Sequence, residues 1–448
     1  MKKVFKHFIF ITSVYAILTA CGGSSSDNTP PTTPGPQSGT TYYVSTTGND
    51  RASGDIDHPF ATIKHCVNKG DGNTCYLRAG IYNEYNIIIS NNHTTVLSYP
   101  GESVIVDGAG MPNTNGTYVF WITGRNNALS GVTIQNSGWY GLYVSGDYNT
   151  ITNVFVQHSW QHGILVTGTY NVIDNCDAYY NCKSNEYAAR IGGTWAAGMT
   201  IAYNGDHSTI KNSRVWNNWG EGLSTFKSTN TTLEHNTVWD NYTVNLYIDT
   251  TVGSKITRNY VYLTDNDVTT DHHLGAAGHK TAMSVCDETG PFLSSDNEIS
   301  YNVMDARVSA EVFTWLSCQP GSGLVNFTIA NNTIVGEDTG IYINDGYHSG
   351  TVFKNNIVYQ RDGATRMVGS ANGITYSNNL WNRADRNVNL AGIGDIIGDP
   401  LFVSSTDFHL RASSPCIDAG TNVGLTTDYD GNVVPFGAYP NIGAYEYQ

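Results

Sequence analysis

The feature that most constrains this chain is a short motif that returns every 22 to 24 residues through most of its length. An apolar-x-apolar strand is followed by a turn, then by an apolar residue with asparagine two or three places later. Aligned on that second apolar residue, the motif recurs at Leu129, Ile151, Ile173, Ile210, Leu233, Ile256, Ile299, Ile329, Phe353 and Tyr376. The steps are 22, 22, 37, 23, 23, 43, 30, 24 and 23 residues, so six of the nine fit one coil and three fit one coil plus an insertion. A fixed period of this kind marks a solenoid, in which each repeat buries its apolar face against its neighbours.

Asparagine follows at Asn153, Asn175, Asn212, Asn236, Asn259, Asn302, Asn332, Asn356 and Asn379. Asparagine tolerates left-handed backbone angles and can bond the equivalent residue one coil away, which predicts a ladder. The other strand recurs at residues 141–144, 163–166, 198–201, 222–225, 245–248 and 340–343. Alternation places Leu142, Val144, Ile164, Val166, Leu246 and Ile248 inside and Tyr143, Thr200, Ser224 and Tyr247 outside.

Helical solenoids need longer segments of 3.6-residue period, and leucine-rich repeats carry their own Leu and Asn spacing. The pattern instead resembles the right-handed parallel β-helix family of pectate-lyase-like proteins, over residues 82–419. The resemblance implies an all-β, single right-handed parallel β-helix solenoid with an N-terminal helical cap and loop insertions. Residues 41–81 then supply a first strand and the cap. Within them, the apolar spacing after Pro59 in Pro59-Phe60-Ala61-Thr62-Ile63-Lys64-His65-Cys66-Val67 suits a short amphipathic helix over the open end of the coils. Residues 420–448 resemble the closing segment of secreted bacterial β-helix proteins.

The first twenty residues have the layout of an export signal, with Lys2, Lys3 and Lys6 before an apolar run from Phe8 to Leu18. Leu18-Thr19-Ala20-Cys21 resembles the bacterial lipobox, in which Cys21 becomes the lipidated first residue. Residues 21–40 are rich in Gly, Ser, Thr and Pro and read as a flexible tether. These features predict a chain held at the outer membrane only through its lipid, on the periplasmic or cell-surface side, and monomeric. Without the signal lysines, 20 basic residues face 38 acidic ones, a charge of about −18. Such a surface repels nucleic acid and excludes it as a partner.

Export permits disulfides. Connectivity is not readable from sequence, but Cys66 with Cys75 and Cys176 with Cys182 would close short loops. Cys286 with Cys318 would link neighbouring coils, leaving Cys416 alone. None of these cysteines has zinc-ligand spacing with histidine.

Insertions on a solenoid build its binding surfaces. Extra chain falls near residues 183–197, 265–280 and 287–295, flanking two uninterrupted coils at 210–265. These coils carry an outward column of Tyr179, Trp216, Trp239 and Tyr262, suited to the apolar faces of sugar rings, with Phe226 and Tyr247 also outward. Glu221, between two glycines, is the leading carboxyl, with Asp240 or Asp249 as its partner. Two carboxyls are what glycoside hydrolysis requires.

A lyase instead needs a base beside a uronate carboxylate, for which Arg214, Lys227, Lys280 and Asp271-His272-His273 are candidates. Lyases of the resembled family pair such a base with an acidic calcium cluster. None is plain here, so hydrolysis with no required cofactor ranks ahead of calcium-assisted elimination. A non-catalytic glycan-binding or adhesin β-helix is the remaining reading. All three take a polysaccharide or oligosaccharide as partner.

Overall fold

A computed structural model describes residues 39–186, 196–264, 281–288, 290, 292–308, 310–337, 339–361, 372–382 and 392–448. The signal segment, Cys21, nearly all of the tether, Lys280 and the Asp271-His272-His273 loop lie outside the described residues. Among those described, the chain winds through three parallel sheets, two of thirteen strands and one of ten. The single α-helix among them, Ile63–Val67, is five residues long. No described helix is long and apolar enough to cross a membrane.

The register is the one the repeat predicts. Leu129, Ile151, Ile173, Ile210, Leu233, Ile256, Ile299, Ile329, Phe353 and Tyr376 are successive partners in one thirteen-stranded sheet. All but Tyr376 are fully buried. A one-residue slip would turn this whole column to solvent, so the apolar period dictates the stacking.

The asparagines divide into two kinds. Asn153, Asn175 and Asn212, two places after the apolar residue, hold left-handed backbone at φ between 50° and 55°. In the later coils the left-handed place passes to His235, Arg258, Tyr301, Asn331, Asn355 and Asn378. Asn236, Asn259, Asn302, Asn332, Asn356 and Asn379 sit one place later and are buried. There the backbone N–H groups of Asn236 through Asn356 each donate to the next amide oxygen, at 2.9 to 3.0 Å, and that of Asn379 donates to Asp395 Oδ1 at 2.9 Å. A second ladder, Asn181–Asn218–Asn241–Asn245, lines another corner. Corners that would strand buried amides are thereby satisfied along the solenoid.

The cap helix begins at Ile63 rather than beside Pro59, because the Thr62 hydroxyl accepts the His65 N–H at 3.1 Å and so provides the N-cap. Ile63, Cys66 and Val67 face the core, and Cys66 is bonded to Cys75. At the far end Arg258 Nε donates to the Asp428 carbonyl and Asn331 Nδ2 to that of Asn441. The closing chain thus folds back along one corner.

Cys286 is bonded to Cys318, whereas Cys176 and Cys182 are separate buried thiols and do not form the expected pair. The strand Asp177–Tyr179 runs between them, and extended chain rises about 3.3 Å per residue, too far for a disulfide. Cys176 points into the core beside the Ile151 carbonyl, while Cys182 packs with Ala196 and Trp219 beyond the next corner.

Candidate functional site

The aromatic column exists, but its rings turn toward one another. Tyr179–Trp216, Trp216–Trp239 and Trp239–Tyr262 stack at 4.4, 4.8 and 5.4 Å, with interplanar angles of 9°, 2° and 7°. The strand spacing of about 4.8 Å falls within the centroid separations that paired aromatic rings prefer, so equivalent rings on adjacent coils stack. Trp216 and Trp239 each have both faces covered by neighbours. Their edges, not the faces expected to meet sugars, point outward.

Arg214 extends along the same sheet and is occupied as well. Its Nε and Nη2 clasp Asp177 Oδ1 and Oδ2 at 2.9 and 2.6 Å. Asp240 closes the corner after Trp239 with left-handed φ of 50°, accepting Thr264 N–H at 2.7 Å and its hydroxyl at 2.6 Å. Both carboxylate oxygens brace a turn.

Glu221, Phe226, Lys227, Tyr247 and Asp249 lie on the other side of that corner, in the ten-stranded sheet. The strands Glu221–Thr229 and Val244–Val252 are nine residues each and run side by side. Phe226 is the register partner of Asp249, and Ser224 of Tyr247. Lys227 and Thr250 follow as left-handed residues at φ of 49° and 53°, bending both strands at the same level. The Lys227 ammonium rests 4.8 Å from the Phe226 ring centroid. Among the described residues it makes no ion pair.

Tyr247 and Asp249 face outward by parity yet are only 7% and 3% exposed. Part of that cover is Glu288, which the sequence reading missed. Its Oε1 accepts the Tyr247 hydroxyl at 2.9 Å, and its backbone N–H donates to Asp249 Oδ1 at 3.0 Å. The Thr250 hydroxyl also donates to Asp249 Oδ1, at 2.8 Å. No described group bonds Oδ2.

Burial pushes the Asp249 carboxyl up to about 7, aided by the charges of Glu288 and Asp287 and opposed by the two bonds to Oδ1. Burial also holds the Tyr247 phenol well above its ordinary range, with the charges of Asp249, Glu288 and Glu221 adding to it. Glu221 is therefore electrostatically coupled to this group while standing at the start of its strand, where its N–H bonds the Ala196 carbonyl at 2.9 Å. Among the described residues no three His, Cys, Asp or Glu side chains are grouped to hold a metal ion.

Residues 42–273 match a family model described as Pel9A-like, right handed beta helix region. Pectate lyase PEL9 of Emericella nidulans is 42% identical over 79 residues, spanning 16% of this chain and only 19% of that protein's own length. Among solved structures, pectate lyase Pel9A superposes with a TM-score of 0.60 at 19% identity, covering 92% of this chain and 98% of that one. A rhamnogalacturonan lyase gives a TM-score of 0.55 at 17% identity, covering 78% and 90%. The A-module of the mannuronan C-5 epimerase AlgE6 of Azotobacter vinelandii gives 0.53 at 13% identity, covering 76% and 90%. At these identities the structural likeness establishes the fold.

Proposed function

The chain belongs to the Pel9A-like right-handed β-helix family, and from that premise we propose that it is a polysaccharide lyase, cleaving a uronate-containing glycan by β-elimination. The hydrolase reading ranked first from sequence gives way to it. Asp240 accepts two hydrogen bonds from Thr264, and the matched family and relative are named for pectate lyases.

The observation that carries the proposal is Lys227. Among the described residues its side-chain nitrogen has no carboxylate partner, and it lies over the ring of Phe226, the register partner of Asp249 one coil away. Elimination needs a base to take the proton next to the uronate carboxylate and an acid to protonate the departing glycosidic oxygen. Lys227 takes that proton in its neutral amine form and becomes the ammonium, the carbon–oxygen bond to the leaving sugar breaks, and a carbon–carbon double bond forms between the two ring carbons that lose the proton and the leaving oxygen. Asp249 donates a proton through Oδ2, the oxygen left open by its bonds. A carboxyl titrating at about 7 keeps that proton near neutral pH. Phe226 offers an apolar surface beside the ammonium.

The acidic loop residues that could contribute to a calcium site, Asp265, Asp267 and Asp271, lie outside the described residues. We further propose that the lipid on Cys21 tethers this activity at the outer membrane.

The test is to incubate the chain with polygalacturonate, rhamnogalacturonan, alginate and a neutral glycan, with added calcium or with chelator. Ultraviolet absorbance of unsaturated products and reducing ends are followed together. Lyase action raises both on a uronate glycan. Reducing ends without absorbance would restore the hydrolase, and binding without either would make the protein a glycan binder.

A further inference from the structure

Glu288 contacts two groups of the site through different atoms, a side-chain oxygen toward Tyr247 and a backbone N–H toward Asp249. How it is held there follows from where its coil leaves the sheet. The strand Thr281–Cys286 ends at Cys286, the register partner of Asp249. The next strand, Glu311–Leu316, ends at Leu316, the partner of Cys286. Sheet pairing therefore stops just before Asp287 and Glu288. At that point Cys286 is bonded to Cys318, two residues beyond the end of the neighbouring strand. Asp287 is fully buried, its Oδ1 accepting both the N–H and the hydroxyl of Ser294 at 3.0 and 2.6 Å. A covalent clamp before Glu288 and a buried carboxylate beside it direct the next N–H at Asp249.

We propose that Glu288 is a positioning residue for Asp249 and Tyr247, and that the Cys286–Cys318 disulfide holds it in place. This rests on the lyase reading, in which Asp249 is the proton donor. Glu288 acts through the other two because its Oε1 is engaged by Tyr247 and its bond to Asp249 is made by backbone. The disulfide matters here because the chain has no ladder of its own at this exit, and errors of about 1 Å in placing a reacting group cost about a hundredfold in rate. The charged groups acting on Asp249 are Glu288 and Asp287 from the exit segment; Lys227 lies over Phe226, its register partner on the preceding coil, and the protonated Tyr247 is on its own strand.

Three variants of the full chain test this: Cys286→Ser with Cys318→Ser, Glu288→Gln, and Cys66→Ser with Cys75→Ser as a remote disulfide control. On polygalacturonate, the first should lower kcat by about a hundredfold with a much smaller change in KM. Glu288→Gln removes a negative neighbour of Asp249, so the alkaline limb of its pH profile should move to lower pH. Loss of the clamp, which opens Asp249 to water, should move it the same way. The control should change neither.

Carbon NMR of selectively labelled aspartate reads the Asp249 titration in the same proteins without substrate. A downward shift there, with no turnover on any glycan, would retire the lyase reading and leave the positioning intact. An Asp249 titration unmoved in both test variants, with only a lower melting temperature after clamp removal, would overturn the positioning whatever the turnover.

Discussion

Trp216 and Trp239 lie parallel within 2°, their ring centroids 4.8 Å apart, so each covers a face of the other. With Tyr179 below and Tyr262 above, Trp239 loses two stacked partners when truncated, worth about 1–3 kcal/mol in all. Trp239→Ala should lower the unfolding free energy by that order in denaturant titrations. Its effect on glycan affinity should be small. A large loss of affinity at unchanged stability would return the column to the role of a sugar platform.

Lys227→Met keeps much of the apolar stem over Phe226 and removes the base. Turnover should fall by at least about a hundredfold, the lower range for acid–base catalysis, with binding retained by isothermal titration. Lys227→Arg should recover part of the rate.

Asp249 gives two pH dependences with a common origin. As the proton donor it must be protonated, so kcat should fall as pH rises through about 7. Its folded pKa lies above its unfolded value, so between them the native state binds more protons than the unfolded state. Stability should therefore decline as pH rises from the ordinary carboxylate range to about 7. Asp249→Asn should flatten that decline in melting curves and abolish turnover.

His409 contributes in a separate window. Its Nδ1 lies 2.6 Å from Asp407 Oδ1 and its Nε2 2.8 Å from Asp430 Oδ2, joining the chain just before the closing segment to that segment. Burial opposes the charged ring, but the two carboxylates prevail and raise its pKa. The gain is complete below the unfolded histidine pKa and is lost as pH rises through the higher folded one. His409→Gln should remove this part of the pH dependence of melting, in a difference plot against the parent chain.

Cys21 carries a prediction for the intact cell. Labelling with a radioactive fatty acid should mark the exported protein, and Cys21→Ser should abolish the label and release the protein from the membrane fraction.

What the sequence determined by itself was everything that repeats. Inward residues recur once per coil and must stay buried, so Leu129 through Tyr376 could be placed in register before any contact was known. The outward parity of Tyr179, Trp216, Trp239 and Tyr262 was equally legible. Even the two kinds of asparagine were present in the spacing, as two residues after the apolar position or three, although one ladder had been expected.

Only the tertiary structure decided what happens between coils. Whether rings offer faces or consume them depends on strand spacing and orientation, which parity does not encode. Arg214 meets Asp177 across 37 residues, and Tyr247 meets Glu288 across 41, because insertions carry the chain away before the next coil returns it. The stretch that brings Glu288 back has no repeat to betray its register. Asp240 looked catalytic in sequence because it is an acid at a corner. Thr264, one coil on, bonds both of its carboxylate oxygens, a contact the repeat does not announce. Period-two burial is a local rule that sequence states directly, whereas the pairing of polar groups across insertions depends on where the coil closes, which is set by the whole solenoid.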